Sequence, residues 1–364
     1  MKALKYIFTA AVAGLFAVAC NEGIDSITPV APGEDTEAPV VKINYPTGDI
    51  TIPFTDEQTD IDFKFEVTDD IEVQQFTVTL NEQVIGEYSD FKDYRRVLET
   101  LSQTAVTIGD YSLVVTATDL SGKTTTENLD FVVTNKYIAR YADEILYMPF
   151  EGGFYMNLLT ETEATVVGTP AFAEGKIGQA YVGDSAAYLT LPGEEFHSNE
   201  FTAVFWMKVN ATPDRAGILT MGPEDTANAG YPDKQNNRKS GFRFFREDAA
   251  GKQRFKLNVG NGEADLWVDG ASAADVDPTT GEWVHLAFTI SDTECAIYIN
   301  GEVAKQVAFT GIDWTGCDVL SIMSGAPRFN EWGHNSDESA MDELRLFNKA
   351  LSQAQIQNIM GNEK

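Results

Sequence analysis

The stretch MDELRLFNKALSQAQIQNIM, residues 341–360, opens with two adjacent acids, Asp342 and Glu343, and continues as a strand-like apolar alternation. It ends as a polar helix. Carboxylates at the mouth of a strand can do acid–base chemistry, hold a divalent cation, or simply keep a surface solvated. The other reactive residues narrow the choice. The chain has three histidines and contains no H-E-x-x-H, C-x-x-C or G-x-S-x-G. ATDLSGKTT imitates a phosphate loop, but Ala117 stands where the first glycine belongs, and the stretch joins two strands instead of preceding a helix. His285 alternates with apolar neighbours in WVHLAFTI, the pattern of a structural histidine in a strand. His197 and His334 sit in loops without sequence partners for a triad.

Stepping from these groups to the elements that carry them, the chain of 364 residues is long enough for two or three domains. Its formal net charge of -30 excludes nucleic acid as a natural partner, since phosphate binding draws on basic surfaces. Residues 1–20 form a basic start, MKALK, then an apolar run too short to span a membrane, then FAVAC. This resembles a bacterial lipoprotein signal with Cys20 as the lipidated residue, although Ala17 replaces the usual leucine. It implies an outer-membrane lipoprotein held by lipid alone, most simply at the cell surface, with the periplasmic face left open. Residues 21–37, rich in Pro, Gly and acids, read as a flexible tether.

Residues 38–137 show period-two alternation, as in IDFKFEV and QFTVTL, with turn residues between short strands. APVVKINYP, FEVTDDIEV and the following strands resemble bacterial immunoglobulin-like domains. Asp69, Asp70 and Asp119 fall at strand ends, where carboxylates commonly cap turns. Residues 138–364 carry a second, larger β pattern, with an Asn300-Gly301 hairpin signal and one helix, SQAQIQNIM, capped by Ser352. The expected fold class is therefore all-β, two sandwiches in series, the second a jelly roll. Cys295 and Cys317 begin strand-like runs there. A disulfide and two separate buried thiols both suit an exported protein.

AYVGDSAAYLTLP, FTAVFWMKV, GEWVHLAFTI, CAIYINGEVA and MDELRLFNKALSQAQI occur in this order, and together they resemble the laminin-G-like, concanavalin A-like jelly rolls of bacterial surface proteins. The resemblance implies two packed antiparallel sheets and carbohydrate or protein binding. It also implies a structural calcium, held by Asp342 with Glu151 of MPFEGGF. Glu343 would then point to the opposite face by strand alternation. Some jelly rolls of this kind are glycoside hydrolases, which need two carboxylates across one sugar. An E-x-D-x-x-E strand would place them, but after Glu263 and Asp265 the third position is Val268. The expected reading is therefore non-enzymatic, with a glycoside hydrolase or lyase as the third and least favoured reading.

Sugar binding needs flat apolar surface for stacking and planar polar groups for hydroxyls. SGAPRFNEWGHNSDES supplies Arg328, Phe329, Asn330 and Trp332; GPEDTANAGYPDKQNNRKSG supplies Tyr231 and Asn237. Phe329, Trp332 and Tyr231 would stack, and Arg328, Asn330 and Asn237 would bond hydroxyls. Eight basic residues cluster between Lys234 and Lys256, either a strip for acidic sugars or a solvated face of ordinary ion pairs. The expected function is polysaccharide capture by a surface lipoprotein beside importer or hydrolase partners. A protein-binding adhesin or structural component of a surface complex is the alternative.

Overall fold

The structure, a computed structural model, describes residues 33–363. The residues read as a lipidation site, Cys20, and as a signal, 1–20, with most of those read as a tether, lie outside the described residues. The chain is all-β and divides into two compact units, one built from residues up to 52 with 57–134, the other from 53–56 and 135 onward.

The first unit is a sandwich. A three-stranded sheet orders Val40–Tyr45, Gln58–Thr68 and Arg96–Thr107, and a five-stranded sheet orders Ile50–Thr51, Thr124–Thr134, Gly109–Asp119, Val73–Leu80 and Gln83–Tyr88. The alternation in Gln58–Thr68 sends Phe63, Phe65 and Val67 into the core, against Val115 and Phe131 of the other sheet. Asp69 Oδ1 accepts the amides of Ile71 at 2.9 Å and Glu72 at 2.7 Å. Asp119 Oδ1 accepts the Lys123 amide at 2.8 Å. These are turn caps. Asp35, Asp69 and Asp70 also bring carboxylate oxygens within 4.8 Å of one another, and Lys123 Nζ donates to Asp35 at 2.6 Å.

In the second unit two antiparallel sheets face each other. One orders Thr165–Val167, Tyr188–Pro192, Val319–Ile322, Arg215–Met221, Phe242–Ala249, Lys252–Gly260 and Asp265–Asp269. The other orders Ala171–Glu174, Gln179–Val182, Ala340–Phe347, Phe201–Lys208, Trp283–Ile290, Glu294–Ile299 and Glu302–Ala308, with Glu144–Met148 also paired to Ala340–Phe347. The inner faces interdigitate through Phe201, Phe205, Phe242, Phe244 and Phe288. Asn300 and Gly301 take φ of 50° and 77°, the two positive values that a tight hairpin requires. Cys295 and Cys317 are free, buried thiols, so the disulfide alternative is corrected to separate core cysteines. One begins an inner position of the second sheet, whereas the other precedes a strand of the first.

The outer faces of these two sheets are covered differently. The helix Gln353–Asn362 starts at a capping box of Ser352 and Gln355 and lays Ile356 and Ile359 on Val204, Ala287, Ala296, Tyr298 and Phe347 of the second sheet. His285 is buried beside Trp206 on this side, and burial holds its pKa down to about 4. Loops cover the first sheet.

Under the helix lies a buried charge cluster. Arg345 of the last strand pairs with Glu144 at 2.5 Å, Glu343 at 3.0 Å and Glu363 at 2.8 Å. The Tyr147 ring stacks on its guanidinium at 3.5 Å, and Trp206 Nε1 donates to Glu363 at 2.9 Å. Glu343 shares a face with Arg345 two residues on, and a bulge in the last strand brings Asp342 to that same face. Trp206 pairs with Asp342 and Val204 with Arg345, leaving an extra residue between them, and Glu343 takes φ 53°. The simple alternation expected for Glu343 is corrected accordingly.

Burial pushes Glu363 from 4.5 up to about 7, outweighing its pairing with Arg345. A carboxyl that holds its proton more tightly when folded stabilises the fold fully below its unfolded pKa. That contribution is lost as pH rises through the folded value. Glu363→Gln, neutral throughout, should therefore gain melting temperature relative to the parent between pH 5 and pH 8. A difference that stays flat across this window refutes the assignment.

Candidate functional site

The loops 222–241 and 323–339 lie over the outer face of the first sheet and are zipped to each other. Asn330 Oδ1 accepts the Gln235 amide at 2.9 Å, Asn330 Nδ2 donates to the Asp233 carbonyl at 3.0 Å, and the Asn330 amide donates to the Gln235 carbonyl at 3.0 Å. Arg328 forks between Glu224 and Asp318, both at 2.8 Å. Arg246, fully buried, clamps Asp337 in a bidentate pair at 2.6 and 3.1 Å and so ties the second loop to the strand beneath.

Alternation along Phe242–Ala249 sends Phe244 to the core and Phe245 outward, opposite Lys256. Phe245 is nonetheless buried, because Phe329 packs on it at 5.3 Å and His334 at 4.7 Å. On top of this aromatic base stand two indoles, Trp267 from Asp265–Asp269 and Trp332 from the loop. They are 41% and 42% exposed, near-parallel at 23°, with centroids 6.0 Å apart. The Arg238 guanidinium lies over both rings, 4.7 Å from Trp332 and 5.3 Å from Trp267, and pairs with Asp265 at 3.2 Å.

Asn237 and Lys239, the neighbours of Arg238 in sequence, line an open cavity of about 680 Å³ with Glu224, Ser240, Asp313 and Asp318 among others. Asp313 accepts the Ser240 hydroxyl at 2.5 Å and the Thr315 hydroxyl at 3.0 Å. The site is thus an aromatic shelf beside a cleft of oriented acceptors.

Three carboxylates of this face are held below their ordinary range. His334 and Lys256 hold Glu247 down to about 2, Arg328 lowers Glu224, and Ser240 lowers Asp313.

Asp342 and Glu151 meet elsewhere, at the turn 175–179. Asp342 Oδ2 accepts the Ile177 amide at 2.9 Å, and Glu151 Oε1 accepts the Gln179 amide at 2.9 Å. A Cβ at Gly175 would lie 2.6 Å from Asp342 Oδ2, and one at Gly178, whose φ is +51°, would lie 1.9 Å from Glu151 Oε1. The turn therefore requires glycine at both places. Asp342 is fully buried, and no basic side chain among the described residues pairs with it. Burial and the neighbouring Glu343 push it up to about 8. Both Asp342 oxygens already accept backbone N–H groups, Oδ1 from Glu343 at 2.8 Å and Oδ2 from Ile177, so a hard cation held there would have to use their remaining lone pairs.

Three of the residues picked from the sequence as ligand contacts belong to the scaffold instead. Phe329 is 1% exposed and sandwiched between Phe245 and His334, so it presents no face to solvent. Arg328 spends its charge on Glu224 and Asp318, and Asn330 spends its amide on the loop zipper. Trp332 and Tyr231 are exposed, and Asn237 lines the cleft. Trp267 was not picked out, although its outward strand position between Asp265 and Asp269 marked it as an indole facing solvent.

Residues 183–357 match the family described as the concanavalin A-like lectin/glucanases superfamily. No curated protein matches the chain. Among solved structures, domain 4 of AbnA, a GH43 extracellular arabinanase from Geobacillus stearothermophilus solved with arabinotriose, is 18% identical. The match covers 60% of this chain and 98% of that one, with a TM-score of 0.46. The receptor binding domain of botulinum neurotoxin C/D mosaic serotype is 14% identical over 60% of this chain and 51% of that one, TM-score 0.42. The binding domain of Paraclostridial Mosquitocidal Protein 1 is 15% identical over 60% and 52%, TM-score 0.41.

The two aromatics of the loop make opposite predictions for stability. Phe329→Ala should cost about 3–5 kcal/mol, the usual price of emptying a buried aromatic site. Trp332→Ala should cost about 1 kcal/mol or less. Chemical denaturation of both variants decides, and equal losses would show that the shelf is structural.

Proposed function

We propose that this chain, whose residues 183–357 form a concanavalin A-like jelly-roll domain, is a non-catalytic glycan-binding lipoprotein. The observation that carries the reading is the pair of half-exposed indoles, Trp267 and Trp332, on a rigid aromatic base beside a polar cleft. Indoles present flat apolar area to sugar C–H faces, and Asn237 with the cleft carboxylates offers partners for hydroxyls. Tyr231 extends the apolar rim.

Hydrolysis would call for a carboxyl kept protonated near neutrality facing a second carboxylate. Glu247, Glu224 and Asp313 are shifted the other way, which supports binding without turnover. In this reading Cys20 carries the lipid, the immunoglobulin-like first unit is a spacer, and the jelly roll holds polysaccharide at the outer membrane for importer or hydrolase partners. Calcium, held by Asp342 and Glu151 at the turn 175–179, would neutralise the buried carboxylate and brace the domain.

Two measurements check this. On a glycan array the chain should bind at least one polysaccharide, and Trp332→Ala or Trp267→Ala should weaken it about tenfold, or about 1.4 kcal/mol. A blank array from folded protein, with a protein partner recovered instead, would establish the adhesin alternative. Calcium should raise the melting temperature of the parent and leave Asp342→Asn unmoved; no calcium shift in the parent would remove the metal from this account.

A further inference from the structure

We infer that the site selects uncharged glycans and turns away those bearing uronate or sulfate groups. This rests on the glycan-binding reading and adds a charge class to it. The basic cluster between Lys234 and Lys256 looks, as a string of residues, like a strip for polyanions. In the folded unit most of its charge is committed internally.

Arg254 pairs with Asp275 at 2.6 and 3.1 Å, and Lys256 with Glu247 at 2.8 Å and Asp269 at 3.2 Å. Arg246 is buried against Asp337. Arg243 is fully buried and donates to the carbonyls of Ser240, at 2.8 Å, and Asn237. Arg238, the cation nearest the indoles, faces two π surfaces and Asp265.

The cleft itself is lined by three acids, two of which share Arg328. Glu224, Asp313 and Asp318 line it, and Lys239 is the one basic residue on its wall among the described residues. A uronate there would meet carboxylate lone pairs at close range, which disfavours its charged form. A sugar hydroxyl would instead donate into them. These acceptors are already oriented, Glu224 and Asp318 by Arg328, and Asp313 by Ser240 and Thr315. A hydrogen bond to a charged, pre-oriented group is stronger than a neutral one and loses less on forming.

The test uses the full chain on an array that sets neutral polysaccharides beside charged counterparts, such as dextran with dextran sulfate and galactan with polygalacturonate, at low and high salt. The expected result is a neutral ligand bound with little salt dependence, its charged counterpart weaker by about tenfold or more. A charged counterpart that binds equally or better overturns the inference and leaves glycan binding standing. Binding to no glycan of either kind removes both. Asp265→Asn, which releases Arg238, should raise dextran sulfate binding several-fold; unchanged binding would overturn the neutralising role given to Asp265.

Discussion

Arg345 lies 2% exposed among Glu144, Glu343 and Glu363, and the order of the second unit follows from how that guanidinium is satisfied. A buried guanidinium costs several kcal/mol in lost hydration, and only close, well-oriented carboxylates offset it. Its three partners come from three places: Glu144 from the strand that enters the unit, Glu343 from the bulge in the last strand, and Glu363 from the end of the helix. Satisfying one cation therefore brings together the entering strand, the last strand and the helix. Three acids to one base leave excess negative charge, which the upward shifts of Glu343 and Glu363 relieve.

Because the helix is committed to one sheet, the other sheet keeps an outer face for loops. Those loops would be poor supports for a binding surface if they moved independently. The amide zipper between Asn330 and Gln235 and the buried Arg246–Asp337 clamp make them a single layer. Phe245, Phe329 and His334 then form a dry base on which two indoles stand at a set spacing. Few atoms of this layer are exposed, and their geometry depends on buried charges and rings beneath them.

Much of the architecture was legible in the sequence because β alternation is a local signal. Period two in IDFKFEV, the Asn300-Gly301 turn and the Ser352 cap each depend on neighbours in the chain. The site was less legible because it depends on partners distant in sequence. Phe329 and Trp332 stand three residues apart in one loop and look alike on paper. One is covered by a residue 84 positions earlier and the other is open, so only the fold separates them. Arg328 and Asn330 were read as ligand contacts because their planar groups suit hydroxyls, and the same planarity made them good loop fasteners. Asp342 and Glu343 share a face because a bulge resets the alternation between them, and bulges leave no reliable mark in composition.

Residues just past a surface helix are ordinarily tolerant of change, since their backbone is seldom tied down. Here Glu363 accepts from Arg345 and from the Trp206 indole, so the chain at that position is interior in its energetics. Cutting after residue 362 would act as a core substitution, leaving a buried indole donor unmet and one carboxylate gone from the Arg345 cluster.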